Sequence, residues 1–308
     1  MTVPRQTVYV ESPTEERNQR TVDIDQLSTL DMLRAINAED SIVPGAVEQA
    51  LPQLAKAVDI AAHAVRDGHR IHYVGAGTSG RLAGMDVAEL APTFNAPADW
   101  FVAHHAGGDK AFRTAVENAE DDAAAGAAEL TRDASAGDFV LGLTASGRTP
   151  FVLGALAASR RLGAHTGLVS GNPISARTVD VDVVMAIDTG PEAISGSTRM
   201  KAGTAQKLVL TAFSTAVMIK LGRTYSNLMV SLRATNAKLR GRTLRILREA
   251  TGFGQQECTE ALTAAGGDLK VALVHLLSGV DSTRAARALV ETGGHVRRAL
   301  DALGTATV

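Results

Sequence analysis

Five short apolar runs, each followed by a stretch of helical spacing, constrain this chain more than any other feature. The runs cover 70–75, 100–106, 138–144, 165–170 and 181–188, and the helical stretches between and after them cover roughly 79–90, 108–130, 150–162 and 198–221. A strand that reaches its neighbour through a helix pairs with it in parallel, and a parallel sheet needs helices over both faces. The pattern predicts a three-layer α/β/α sandwich on a five-stranded parallel sheet, flavodoxin-like, with ligands bound beyond the carboxyl ends of the strands.

The flanks read differently. Residues 1–25 are polar and irregular and are expected to drape over the surface. Helices are expected over 27–37 and over 45–67, the second with Val47, Leu51, Leu54 and Val58 at helical spacing. After about residue 225 no strand signal remains. A long helix over roughly 227–249 is expected, then three short ones near 255–265, 268–278 and 281–303, with Gly-Gly punctuation at 266–267 and 293–294. The stretch ATGFGQQECTEALTAAGGDLKVALVHLLSG resembles the three-helix ubiquitin-associated fold, in a packing or capping role. The expected division is an N-terminal segment and helix over 1–43, the sandwich over 44–224, and a helical region over 225–308.

Composition removes several function classes. Lys plus Arg is 31 against 33 for Asp plus Glu, a net charge of −2, so no basic excess invites nucleic acid or an anionic membrane. The one cysteine, Cys258, excludes an intrachain disulfide and a cysteine-rich metal site. No histidine pair has helical metal-ligand spacing. The start lacks an apolar signal region, and no stretch reads as approaching a membrane span of about 20 apolar residues. A cytoplasmic location is the expectation.

Three strand-to-helix loops carry the chemistry. In VGAGTSGR (74–81) a strand runs into glycines and a helix starts at once, so the backbone can approach an anion that the helix N-terminus favours. Thr78, Ser79 and Gly80 are the candidate contacts. Gly75, Gly77 and Gly80 also satisfy the dinucleotide fingerprint G-x-G-x-x-G, a weak signal alone. No acidic residue ends the next strand, which closes on His104-His105-Ala106, and a Thr-Ser pair suits one phosphate better than two. The second loop, LTASGRTP (143–150), repeats the design with Ser146, Gly147 and Thr149 ahead of Pro150; ordinary N-capping is the bland alternative. The third, GPEAISGSTRMKAGTAQK (190–207), offers Ser195, Ser197, Thr198, Arg199 and Lys201 near another helix start.

This set of loops resembles the sugar isomerase (SIS) domain, which binds phosphosugars. The likeness sharpens with TEERN (14–18), DIDQLSTLDML (23–33), AELAPTF (88–94), VENAEDD (116–122), GSTRMKAGTAQKLVL (196–210) and NLMVSLRATNAKL (227–239). In that order, over nearly the whole chain, they resemble the N-acetylmuramic acid 6-phosphate etherase family. The resemblance implies an SIS fold, a homodimer, and cleavage of the lactyl ether to N-acetylglucosamine 6-phosphate and D-lactate in cell-wall sugar recycling, with no cofactor and no metal. Departures are small. Leu90-Ala91 and Val87-Ala88 replace the family's usual Cys-Pro and Ala-Ser around the glutamate, Asn118 replaces a glycine, and His104-His105 stand where smaller aliphatics are usual.

The reaction asks for two carboxyls. The ether sits β to the C1 aldehyde of the open-chain sugar, so a base at C2 and an acid at the ether oxygen suffice. By resemblance, Glu89 is the acid, in a partly apolar setting beside Leu90 and Phe94, and Glu120 is the base. On the residues alone, Glu120 belongs to an acidic run (Glu117, Glu120, Asp121, Asp122) of the kind that usually lies on a solvated helix face. Lys238 is a candidate cation near the carboxylates, with an exposed helix lysine as its bland alternative. Arg81 and Arg148, just inside helix starts, could pair with helix-face carboxylates or with phosphate, the structural reading being the preferred one. Two other readings share the loops: an aldose–ketose phosphosugar isomerase, and a sugar-phosphate-sensing regulator like the glucokinase regulatory protein, which carries two SIS domains on a longer chain.

Overall fold

The computed structural model describes residues 12–232 and 237–305, apart from the side chains of 237 and 238. The chain forms two compact units, Met1–Asp86 with Phe101–Phe213, and Val87–Trp100 with Ser214–Val308.

The first unit opens with α1 (Thr29–Asp40), α2 (Val43–Glu48) and α3 (Leu51–Arg66). The single helix expected over 45–67 is two helices, α3 starting afresh with Pro52 in its first turn, where the missing N–H costs nothing. Then β1 (Ile71–Gly75), α4 (Gly77–Phe94), β2 (Phe101–His105), α5 (Ala123–Asp133), β3 (Phe139–Thr144), α6 (Pro150–Leu162), β4 (His165–Ser170), α7 (Pro173–Ala176), β5 (Val183–Ala186) and α8 (Lys201–Lys220) alternate as expected. The strands lie in the order β2-β1-β3-β4-β5, all parallel. The expected three-layer sandwich is the observed one.

Successive strand residues face opposite layers. Tyr73, Phe139 and Phe213 pack together on one face, Phe213 stacked on Phe139 at 5.7 Å and tilted against Tyr73 at 6.0 Å between ring centres. Val74, Val140, Phe151, Val152, Leu156 and Leu168 fill the other. That second face also buries a polar chain. His72 contacts Asp138 at 3.2 Å and His104 at 2.9 Å, and His104 contacts Glu129 of α5 at 3.0 Å. Burial first, then the charge of His104, lowers the His72 pKa to about 4, so the ring is neutral near pH 7.

The helix expected over 108–130 is absent from its first half. Short 3₁₀ turns occupy Gly108–Phe112 and Ala119–Asp121, and α5 begins only after Asp122, whose carboxylate accepts from Ala125 N at 2.8 Å. Gly107 (φ 87°), Gly108 (63°) and Asn118 (60°) are left-handed, which no α-helix can pass through. Contrary to the sequence reading, α8 is long and apolar enough to cross a membrane by length and composition. Just over half of that window (56%) is buried within the protein, as suits a core helix.

The second unit takes the end of α8 from Ser214 onward and continues with a short antiparallel hairpin, β6 (Thr224–Tyr225) and β7 (Leu228–Met229), turning at Ser226 (φ 51°). A helix was expected from 227; the observed α9 spans Ala237–Thr251. It is followed by α10 (Gln255–Ala264), α11 (Leu269–Ser278), α12 (Ser282–Glu291) and α13 (Val296–Ala302). The stretch expected as one helix over 281–303 is two, split where Gly293 and Gly294 turn left-handed. Leu247, Cys258, Leu273, Val274 and Leu300 make the core.

Candidate active site

The first loop is shaped by close approach. A Cβ on Gly80 would lie 2.2 Å from Cδ2 of His105 and 2.8 Å from the Gly75 carbonyl oxygen, so only glycine lets α4 start against the end of β2. Gly77, at φ +55°, makes the turn into the helix. Thr78 and Ser79 then fall in the first turn of α4, where backbone N–H groups lack helical partners and attract anions. Ser79 is buried.

A cleft of about 200 Å³ opens at this point, lined by Gly77, Arg81, His105, Val116, Glu117 and Glu120 among others. Glu120 rides the 3₁₀ turn Ala119–Asp121, so it projects from a loop and not from the helix face its acidic run suggests. It is solvent-exposed. His105 is only 3% exposed, and neither ring nitrogen has a hydrogen-bond partner among the described residues. Burial, and then the charge of Arg81, hold its pKa below the ordinary value for histidine. Its ring meets Phe112 edge-on at 4.8 Å.

At the end of β3 the hydroxyls cluster. Thr144 Oγ1 lies 2.7 Å from Thr149 Oγ1 and 3.3 Å from Ser146 Oγ. Arg148 N donates to Ser146 Oγ at 3.2 Å, and Gly147 N donates to Thr144 Oγ1 at 3.2 Å. Gly147 is left-handed (φ +71°), and a Cβ there would press on Ser170 Oγ at 2.8 Å. Arg148 donates from Nε to Ser175 Oγ at 2.8 Å, the structural pairing of its two readings.

The third loop is held from behind. Glu192, fully buried, accepts from the backbone N of Lys201 at 2.8 Å and of Ala202 at 3.0 Å, capping α8. Burial nonetheless pushes its pKa up. Lys201 is not a loop cation: its ammonium is buried and donates to Glu39 Oε2 at 2.8 Å. Arg20 grips the same carboxylate at 2.5 and 2.8 Å. The N-terminal segment is fastened here too, through Asn18 to Pro191 O at 3.1 Å and Thr21 to Ala193 O at 2.8 Å. Ser195 donates to Glu16 O at 3.3 Å, and Ser197 N donates to Ile194 O at 3.0 Å. Thr78 stands 3.4 Å from where a Cβ on Gly203 would be, so the first loop and the start of α8 adjoin.

Glu89 sits on an exposed face of α4, ten residues beyond Ser79, roughly 15 Å along an unbroken helix axis. Its neighbours Leu90 and Phe94 are buried, whereas Glu89 itself is exposed in the single chain. The Lys238 side chain lies outside the described residues. Sequence reasoning passed over the burial of His105 and the pairing of Glu39 with Lys201. Glu192 stands nine residues ahead of α8, too far for its capping role to show in the sequence.

Comparison with known proteins gives one consistent picture. A family model, the glucokinase regulatory protein N-terminal SIS domain, matches residues 53–160. The chain is 60% identical over 269 residues to the N-acetylmuramic acid 6-phosphate etherase of Thermobifida fusca (strain YX), covering 87% of this chain and 88% of the relative. It is 48% identical over 287 residues to that of Serratia proteamaculans (strain 568), covering 93% and 97%. It is 50% identical over 267 residues to that of Symbiobacterium thermophilum, covering 87% and 89%.

Proposed function

The chain belongs to the N-acetylmuramic acid 6-phosphate etherase family, and from that premise we propose that it cleaves the D-lactyl ether of N-acetylmuramic acid 6-phosphate by elimination and hydration. The observation that carries the chemistry is the placement of Glu120 in one cleft with Gly77, at the anion-attracting start of α4.

In this reading the phosphate binds at the start of α4, with Thr78, Ser79 and Gly80 beneath it and Ser146, Gly147 and Thr149 beside it. Glu120 takes the C2 proton of the open-chain sugar. The electron pair forms the C2–C3 double bond, the C3–O bond breaks, and Glu89 gives its proton to the departing lactate oxygen. Glu89, now a carboxylate, takes a proton from water as hydroxide adds to C3, and C2 regains a proton from Glu120. The sum is ether plus water giving alcohol plus lactate, with both carboxyls restored. His105, in the same cleft and with neither ring nitrogen partnered among the described residues, suits a hydrogen bond to the sugar.

The two carboxylates need a second chain. Ten residues of α4, roughly 15 Å of helix, separate Glu89 from the phosphate end, too far for a hexose to span, and about 200 Å³ falls below the roughly 300–1,000 Å³ of complete ligand pockets. We assign the deficit to a homodimer in which the partner subunit supplies Glu89 and Lys238, each copy completing the other's site. Ser195 and Ser197 then line the third loop as secondary contacts. A doubly charged sugar phosphate does not cross membranes unaided, which supports a cytoplasmic place of work with neither membrane nor nucleic acid as partner. The direct test incubates purified protein with N-acetylmuramic acid 6-phosphate and measures D-lactate. Aldose–ketose interconversion without lactate would instead assign an isomerase.

A further inference from the structure

A second cavity, of about 580 Å³, lies wholly within the second unit, lined by Asn95, Arg223, Ser231, Asp268 and Lys270 among others. We propose that it is a binding site for a small phosphate monoester, with none of its lining residues among those assigned to the etherase reaction.

The case rests on charge and on unmet hydrogen bonds. Arg223 and Lys270 both line this cavity, and among the described residues neither has an ion-pair partner. Arg223 is anchored by two contacts: its guanidinium lies 4.6 Å over the ring of Trp100 and donates from Nη1 to Asn95 O at 3.1 Å. Lys270 spends one proton on Gly294 O at 2.9 Å. The nearby carboxylate, Asp268, is engaged in capping α11, where its Oδ1 accepts from Lys270 N at 2.9 Å and Val271 N at 3.1 Å. Ser231 adds a buried hydroxyl with no partner among the described residues. The backbone amides of Gly266 and Gly267 are already bonded to Thr263 and Leu262. The donors left for a ligand are therefore a guanidinium fork, an ammonium and a hydroxyl.

Two cations held in one cavity repel each other. Burial, and then the charge of Arg223, lower the Lys270 pKa to about 8, with the charge of Asp268 acting in the opposite direction. A dianion between them reverses that: each of its charges meets one cation, and its remaining oxygen accepts from Ser231. A monoanionic carboxylate can bond to both, as Glu39 does to Arg20 and Lys201, but it balances only one of the two charges. The cavity has room for a sugar phosphate as well as the bare ion.

Trp100 is the chain's one tryptophan and lies under Arg223, so its emission reports on this cavity. Titrating the full-length protein with inorganic phosphate is expected to change that emission saturably, with D-lactate at least tenfold weaker. Lys270→Met is expected to weaken the response at least tenfold and the milder Ser231→Ala about threefold or more, while Ser79→Ala leaves the midpoint within twofold. The proposal is overturned by a flat titration, by an equal response to D-lactate, by an unchanged midpoint in folded Lys270→Met and Ser231→Ala, or by loss of the response in Ser79→Ala. The last outcome would trace the signal to the phosphate loop instead. None of these outcomes depends on lactate release, so the etherase reading stands or falls separately.

Discussion

Lys201 separates two accounts of the third loop, and its replacement by methionine decides between them. As a loop cation it would hold substrate phosphate; in the structure its ammonium is buried against Glu39. Lys201→Met keeps the stem's volume and removes one charge-assisted hydrogen bond, worth about 1.5–3 kcal/mol. Glu39 still has the two bonds from Arg20. At roughly 2–4 °C per kcal/mol for a domain this size, Tm should fall by about 3–12 °C. Glu39→Gln should cost more, about 3–5 kcal/mol, because it strands a fully buried ammonium. The double variant should be less unstable than the two losses combined. Arg20 first, with Lys201, lowers the Glu39 pKa from 4.5 to about 2. Its folded value lies below its unfolded one, so this stabilisation is complete above about pH 4.5 and is lost as pH falls toward 2. Calorimetry reads Tm for each variant and steady-state kinetics reads KM at 25 °C. A KM within about threefold of the parent, with the stated fall in Tm, supports the structural role. An unchanged Tm with KM raised a hundredfold would refute it and return Lys201 to the phosphate.

Glu120→Gln should abolish exchange of the C2 proton with deuterium oxide, whereas Glu89→Gln should stop lactate release yet keep measurable exchange; robust exchange in Glu120→Gln removes it from the base role. Ser79→Ala and Ser146→Ala should each weaken substrate binding by about 1.5–3 kcal/mol, roughly 10- to 150-fold in apparent affinity. Unchanged affinity in both would put the phosphate elsewhere. Mixing inactive Glu89→Gln with inactive Glu120→Gln under subunit-exchange conditions should restore activity, because one site in each mixed dimer regains both carboxyls. A mixture that exchanges subunits and stays inactive would place both glutamates within one chain.

The features legible in the sequence are those whose causes are local. Each strand of the sheet announces itself by an unbroken apolar run, because both its faces are covered; Val140 and Leu141 point to opposite layers and both are buried. The glycine pattern of the first loop was legible as well, but its reason was not. Gly80 is required by His105, 25 residues on and carried there by the pairing of β2 with β1, and no local window contains that neighbour. The acidic run around Glu120 reads as a helix face because three left-handed residues, Gly107, Gly108 and Asn118, decide otherwise, and an asparagine does not declare its φ. The hairpin at 224–229 has two residues per strand, too few for any alternation to register. Lys201 is the sharpest case. Its place after a strand, near serines and a helix start, is what a phosphate ligand would have, and what redirects it is a carboxylate 162 residues earlier in the chain. A lysine beside a phosphate loop is therefore a ligand only if the fold leaves no buried carboxylate within its reach. That condition can be checked in three dimensions and nowhere else, and here it sends Lys201 to the interior.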